Sequence, residues 1–457
     1  MTVTNEVRTE SEPLPVRHSK AYAWYVVAVL VAASTLSFVD RQILAIMIDP
    51  VKADLLISDT QAGLLVGLSF AIFYTLMTAP MARLADSFNR KWLIMGGITL
   101  WSILTALCGL SQRFYQLFMA RMGVGVGEAT LGPASFSIIC DYFDKKTMPM
   151  AMAVYYTAPF LGIGLASLAG GPLIEYLDTL APVSLPLVGE MKSWQLAFLF
   201  AAAPAPLVLL LMATVREPIR RGVASAFSSQ EGRKGVPLAA IAAFLRERAR
   251  FFSFMFAALA MLTVMGYSIF AWVVPMLTRV HGLGVGDAGF SYGAIALTFG
   301  VGGSFAAGFF TSWLVARGGA DAAMRVIMVG SFAVCPLVLA LAVAPNALVA
   351  LMLLCPITFI MGMPGGLAQA ALGAITPNQI RAQTLAVYFI VVNFIGYGFG
   401  PVFVGLFNDY IFTPAEVHYS VATLGGALYF CAGLLTWLSL PHFRRALEAA
   451  ESWNEDG

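Results

Sequence analysis

Long apolar blocks alternate with short polar connections along the whole of this 457-residue chain. A helix needs about 20 mostly apolar residues to cross hydrocarbon. Twelve blocks meet that length: 22–48, 61–82, 92–110, 114–140, 149–173, 194–215, 251–277, 288–316, 324–344, 347–374, 382–407 and 421–440. The pattern predicts an all-α membrane protein of twelve transmembrane helices. The longest polar stretch falls between blocks six and seven and divides the spans six and six. The expected organisation is an N-terminal tail over 1–21, six-helix halves over 22–215 and 251–440, a linker over 216–250 and a C-terminal tail over 441–457.

Composition agrees with lipid burial: 59% of residues are hydrophobic, 11% are charged and the mean hydropathy is +0.80. The first 20 residues are polar and lack an apolar h-region, so no cleavable signal peptide is expected. The five cysteines all fall within apolar blocks without metal-ligand spacing and fit small buried side chains better than a disulfide framework.

The net charge of +2 says little, but its distribution sets a topology. With the N-terminus in the cytoplasm, 21 of the 27 Lys and Arg lie on the cytoplasmic side. Lys52, Arg113, Lys192 and Arg279 lie opposite, and Arg41 and Arg121 fall inside helices. By the positive-inside rule both termini are then cytoplasmic, with the inner membrane of a bacterium the expected location. The basic residues need no nucleic-acid explanation. The linker, loosened by Gly, Ser and Gln from Ser225 to Gly235, is expected to lay an amphipathic segment near Pro237 to Phe244 on the interface.

The halves echo each other. Block five runs Met152-Ala153-Val154-Tyr155-Tyr156 to Gly162, Gly164 and Gly170-Gly171-Pro172, and block eleven runs Leu385-Ala386-Val387-Tyr388-Phe389 to Gly396, Gly398 and Gly400-Pro401. Blocks four and ten both have glycine-rich centres. Two pairs at the same offset are what a parallel 6+6 repeat requires. Small residues let backbones approach, and the Gly-Pro pairs are expected to make pliable seams between the halves.

Four ionisable residues interrupt hydrocarbon: Asp40 and Arg41 in block one, Arg121 and Glu128 in block four. A charge at membrane depth costs at least about 2.5–3.5 kcal/mol, so these groups face a bundle interior and mark function. Arg121 and Glu128 are seven residues apart, which returns a helix to nearly the same face about 10 Å further on. Asp40 and Arg41 diverge by about 100°. Arg41 is therefore placed toward the cavity, where its planar fork suits a carboxylate or phosphate, and Asp40 toward a neighbouring helix. A buried carboxyl beside an arginine is pulled both ways, by desolvation and by the nearby charge. Glu128 and Asp40 are the proton-coupling candidates on that ground. The alternative is a purely structural ion pair joining helices one and four.

Asp86, Arg90 and Lys91, in the connection after block two, are the gating candidates. The two basic residues are explained as positive-inside anchors, and Asp86 can accept from the N-terminus of helix eleven to latch the cytoplasmic side. Tyr155, Tyr156, Tyr267, Trp272, Gln369, Asn393 and Tyr397 are candidate cavity-lining residues, though aromatics in membrane helices more often pack or anchor. All four histidines lie at helix ends or in tails, so no histidine relay crosses the membrane. The sequence has no nucleotide loop, nucleophile elbow or metal spacing, which argues against an ATP-driven pump and against an enzyme.

The twelve blocks, the repeat and the Asp86, Arg90 and Lys91 connection together resemble the major facilitator superfamily. The connection departs from that superfamily's signature at Ala82, Ser87 and Asn89. Within it, Phe38-Val39-Asp40-Arg41-Gln42-Ile43 and the Arg121 to Ala129 stretch are similar to the Spinster group of lysolipid and sphingolipid transporters, bacterial type, as is Tyr155 through Gly171. That resemblance implies a proton-linked transporter of amphiphiles. Its cavity carboxylate would be Glu128, with Arg121 and Asp40 as charged partners and Arg41 at the head group. Anion:cation symporters of sugar acids share the same charged pattern and are the competing group.

The expectation is a monomeric secondary transporter working by alternating access on an amphipathic anion, lysophospholipid or sphingolipid-like. The proton gradient would supply energy, with no cofactor and no nucleic acid involved. The alternatives are a proton-coupled symporter of small organic anions and a membrane receptor that binds without moving its ligand. Helix ten carries Gln369 and no charge in the equivalent region. The ionic chemistry is thus expected in the N-terminal half, opposite a largely apolar C-terminal wall.

Overall fold

The computed structural model describes residues 19–144, 147–180, 183–185, 189–218, 238–319, 321–377 and 380–455. The tail before Ser19 and the loosened middle of the linker, Ser225 to Gly235, lie outside the described residues.

Twelve helical spans follow the apolar blocks. They are Lys20–Ile46, Asp59–Ser87, Arg90–Gly109, Phe114–Glu128 with Leu131–Tyr142, Met148–Tyr155 with Ala158–Thr179, and Ser193–Thr214. The second half has Ala249–His281, Val285–Ala316, Ala322–Val343, Ala347–Ile375, Arg381–Tyr410 and Val417–Glu455. Eleven are long and apolar enough to cross a membrane. The remaining one, span four, carries Arg121 and Glu128 and is interrupted at Ala129 and Thr130. Span ten is interrupted at the equivalent place, Gly362 and Met363. Several helices outrun their apolar blocks, span twelve by about a turn at one end and four at the other. Intrahelical hydrogen bonds continue in water, whereas apolar runs end at the hydrocarbon boundary.

Three features were not legible as apolar runs. The amphipathic segment expected near Pro237 to Phe244 is a helix over Leu238–Glu247 ahead of span seven, with Pro237 outside the described residues. A short hairpin, Val183–Leu185 with Gly189–Met191, stands between spans five and six, so the chain is all-α in its spans but not in every connection. Spans two and eight each contain one π-helical turn, Leu64–Leu68 and Ala296–Gly300, at equivalent places in the two halves.

One face of the bundle, the terminal face, holds both described chain ends. The Tyr22 hydroxyl of span one donates to the Thr214 carbonyl of span six there at 3.1 Å. Across the molecule, at the far face, the halves meet along two seams. Span two lies on span eleven so closely that a Cβ at Gly63 would stand 2.6 Å from the Pro401 carbonyl oxygen. Span five meets span eight, where a Cβ at Gly171 would stand 2.6 Å from the Val285 oxygen. Both expected Gly-Pro positions therefore lie at the contact between the halves, and each π turn lies beside one seam. Large apolar side chains such as Leu210, Phe309 and Leu348 are exposed on the outside, where lipid supplies the apolar contact that water would not.

Candidate functional site

The four intramembrane charges lie among spans one to four, and glycine is the local reason. A Cβ at Gly125 would stand 2.6 Å from the Phe70 oxygen of span two, and one at Gly127 would stand 2.9 Å from Trp101 of span three. Span four can therefore sit against two neighbouring helices and bring Glu128 within reach of span one. Glu128 Oε2 receives three donors: Ser37 Oγ at 2.5 Å, Arg41 Nε at 2.7 Å and Arg41 Nη2 at 2.6 Å. Ser37 Oγ itself accepts from Arg41 Nη2 at 3.3 Å. Among the described residues, Glu128 Oε1 and Arg41 Nη1 have no hydrogen-bond partner.

The second pair is separate. Thr105 Oγ1 donates to Asp40 Oδ2 at 3.2 Å, and Arg121 Nη1 donates to the Asp40 carbonyl oxygen at 3.1 Å. Asp40 Oδ1 and Arg121 Nε have no partner among the described residues. Arg121 and Glu128 thus share the face turned to span one, as their spacing requires, but Glu128 is bonded to Arg41 and not to Arg121. Asp40, Arg121 and Glu128 are at most 1% exposed. Buried ion pairs rarely stabilise more than apolar packing of the same volume would, so their presence is better explained by what they bind.

Arg41 is the group shared by the two halves. Its guanidinium carbon lies 4.6 Å from the ring centroid of Phe38, 4.3 Å from Phe70 and 4.9 Å from Tyr74, all in the first half. It lies 5.2 Å from Tyr397 of span eleven, whose ring centroid is 3.8 Å from that of Tyr267 of span seven. Each such contact is worth about 0.5–2 kcal/mol, depending on desolvation. Nearby, Gln42 Nε2 donates to the Phe270 carbonyl oxygen at 2.9 Å and links spans one and seven.

Among the remaining candidates, Tyr155 is buried with its hydroxyl toward Ser34 and Ser135, and Tyr156 meets Gln369 across the halves. Asn393 is half-buried one turn from Tyr397, toward the terminal face. Trp272 is fully buried and donates to the Pro401 oxygen at 2.9 Å within the second half. Asp86 is exposed, and the start of span eleven, its expected partner, borders residues outside the described set. Arg90 is buried inside the first half, bonded to Asp141 at 2.5 Å and Glu217 at 2.6 Å. Lys91 donates to the Ala213 oxygen at 2.6 Å.

A polar latch that the sequence reading did not assign joins the halves at the far face. Arg279, at the end of span seven, donates to Asp49 Oδ1 at 2.9 and 2.5 Å, to Asp59 at 2.7 and 3.1 Å, and to the Pro414 oxygen at 3.1 Å. Asp59 is fully buried and also accepts from Lys52 and from Asn408 Nδ2. Asp409, ending span eleven, accepts from the backbone N–H groups of Asp59 and Thr60 and so caps span two from the other half. The available signal was that Lys52 and Arg279 are two of only four basic residues placed on that side. The missed residues of the central site, Ser37, Phe38, Phe70 and Tyr74, lie at helical spacing, Ser37 one turn from Arg41 and Phe70 one turn from Tyr74.

A family model described as the Major Facilitator Superfamily matches residues 30–401. A crystal structure of a bacterial homologue of the human lysosomal transporter Spinster, inward-facing and unoccupied, aligns with a TM-score of 0.71 at 27% identity. The alignment covers 96% of this chain and 99% of that one. An MFS-type efflux pump of Mycolicibacterium smegmatis is 31% identical over 289 residues, 62% of this chain and 61% of that protein. The sphingosine-1-phosphate transporter SPNS2 of Xenopus tropicalis is 31% identical over 169 residues, 35% of this chain and 33% of that protein. This chain thus spans 61% or less of the length of these two curated relatives. It belongs to the major facilitator superfamily and is similar to the Spinster group within it.

Proposed function

We propose that this major facilitator superfamily member moves an amphipathic anion, a lysophospholipid or sphingolipid-like molecule, by alternating access coupled to protons. The observation that carries the reading is Arg41, held by Glu128 on one side and by an aromatic box built from both halves on the other. An anionic head group competes with Glu128 for the guanidinium, whose Nη1 has no partner among the described residues. A proton on Glu128 removes the competing charge and frees Arg41 for that head group. Loss of the proton returns Arg41 to Glu128 and displaces the ligand. The aromatic side chains of Tyr267 and Tyr397 in the second half, beside Arg41, offer the tail an apolar surface. The name of the Xenopus tropicalis relative, a sphingosine-1-phosphate transporter, supports an anionic head joined to an apolar tail.

The excess of basic residues in the connections on the terminal face supports a cytoplasmic orientation of that face, in the inner membrane of a bacterium. In that orientation the Arg279 latch seals the outside, and an efflux function, as in the Mycolicibacterium smegmatis relative's name, takes substrate from the inner side. Counterflow in proteoliposomes, with lysolipids set against small organic anions and with or without a pH gradient, tests the reading. Exchange of lysolipid that strengthens with the gradient is expected. Uptake of a sugar acid and no lysolipid would refute it in favour of the symporter reading, and binding without exchange would favour a receptor.

A further inference from the structure

The two oxygens of Glu128 are not equivalent. Oε2 is saturated by Ser37 Oγ and two nitrogens of Arg41, while Oε1 is buried and without a partner among the described residues. The direction of the Ser37 bond follows from its own surroundings. Its oxygen accepts Arg41 Nη2, so its single hydrogen is free to point at Glu128, 2.5 Å away. Ser37 is 2% exposed and lies one helical turn before Arg41, so its position is fixed by span one and not by solvent.

We propose that Ser37 is a positioning residue that directs the proton taken up by Glu128 to Oε1. This deepens the proton-coupled reading above and rests on it. When Glu128 is protonated, the incoming proton bonds to Oε1 and Oε2 becomes the carbonyl oxygen. Ser37 still donates to that carbonyl, because a neutral carboxyl accepts there as a carboxylate does. Arg41 loses its counter-charge and can leave without stranding Oε2. A carboxyl without Ser37 would have a bare carbonyl at the moment Arg41 departs, which is costly in a dry interior. Other groups also face this region: Arg41 and Asp40 from span one, Tyr74 from span two, Cys108 from span three and Arg121 from span four. Tyr155 of span five, Tyr267 of span seven and Tyr397 of span eleven complete the set. Among the described residues, Ser37 alone of the neutral side chains donates to Glu128.

Infrared difference spectroscopy of the full chain in lipid nanodiscs, recorded against pH, tests this without a transported ligand. The carboxylic C=O band of Glu128 is the one absent from Glu128→Gln. In Ser37→Ala that band should move to higher wavenumber, because the carbonyl has lost its donor, and Ser37→Thr should return it. An unchanged wavenumber in Ser37→Ala would overturn the assignment of Oε2 as the carbonyl. If the wild type shows no carboxylic band that Glu128→Gln removes at any accessible pH, Glu128 takes up no proton and the proton-coupled reading itself fails. A shift in Ser37→Ala that Ser37→Thr does not reverse would mean a repacked helix and would also overturn the proposal.

Discussion

Replacing Arg279 by alanine should open the far face. In the closed arrangement its guanidinium spans Asp49 and Asp59, with four nitrogen–oxygen distances between 2.5 and 3.1 Å, and adds a bond to the Pro414 oxygen. Asp59 is fully buried, so alanine at 279 leaves that carboxylate with Lys52 and Asn408 alone. Breaking a buried pair by removing one partner costs about 3–5 kcal/mol when the other charge is left uncompensated. The lower end applies here, because Lys52 still faces Asp59. In an arrangement with the far face open, water reaches the same carboxylates and most of that cost disappears. The penalty therefore falls on the closed state, and the closed-to-open ratio should fall by about 10², since each 1.4 kcal/mol is tenfold.

Spin labels at the exposed positions Arg113 and Ile411, one in each half near the far face, report the separation in a cysteine-free background. Pulsed electron–electron resonance in liposomes should show a short distance in the wild type and a longer population in Arg279→Ala. Adding Asp59→Asn removes the buried carboxylate that lost its arginine and leaves Lys52, which is partly exposed, to solvent, so the double variant should regain part of the closed population. A distance distribution in Arg279→Ala that matches wild type, in protein that remains folded, would refute the assignment of these contacts as a latch.

Other perturbations separate the site from the seams. Arg41→Lys keeps the charge but loses the planar fork and its stacking on Phe70, so lysolipid binding measured by fluorescence titration should weaken at least about tenfold. Glu128→Gln should leave counterflow of a lysolipid measurable but independent of pH, and a retained pH dependence would move proton coupling elsewhere, with Asp40 next. Gly63→Ala puts a Cβ 2.6 Å from the Pro401 oxygen and should destabilise the closed seam by about 1–3 kcal/mol, read as a longer distance between the same spin labels. Gly96→Ala meets nothing within 4 Å and is the matched control, expected to leave that distance unchanged.

The twelve spans were legible because crossing hydrocarbon forces long apolar runs, and the repeat because equivalent helices reuse the same small residues. Asp40, Arg41, Arg121 and Glu128 stood out because a charge at that depth is costly. Their pairing was not legible. Spacing placed Arg121 and Glu128 on one face, but which arginine reaches Glu128 depends on the height of span one against span four, a tertiary quantity. Ser37 and Phe70 carried no signal because serine and phenylalanine are ordinary in membrane helices. Asp49, Asp59 and Arg279 carried little for the opposite reason: charges near a helix end are expected there. The π turns at Leu64–Leu68 and Ala296–Gly300 are a matter of backbone register and leave no compositional trace.

The division of bonds between and within the halves decides where opening is controlled. Glu128, Arg41 and Ser37 all belong to the first half, as do Asp40, Thr105 and Arg121, so rigid rocking of one half on the other leaves every one of those bonds intact. Around the site, rocking strains the Arg41 contact with Tyr397 and the Gln42 bond to the Phe270 oxygen. Those two are worth about 0.5–2 and 0.5–1.5 kcal/mol respectively. The far-face latch, at about 3 kcal/mol, outweighs either of them. The barrier to opening therefore lies mainly at the face, while proton and substrate set the site's contribution by taking or releasing one guanidinium. A ligand that holds Arg41 in the first half and its tail against the second replaces the weak contacts at the midplane. It acts on the equilibrium through that replacement, without breaking any ion pair of the latch directly.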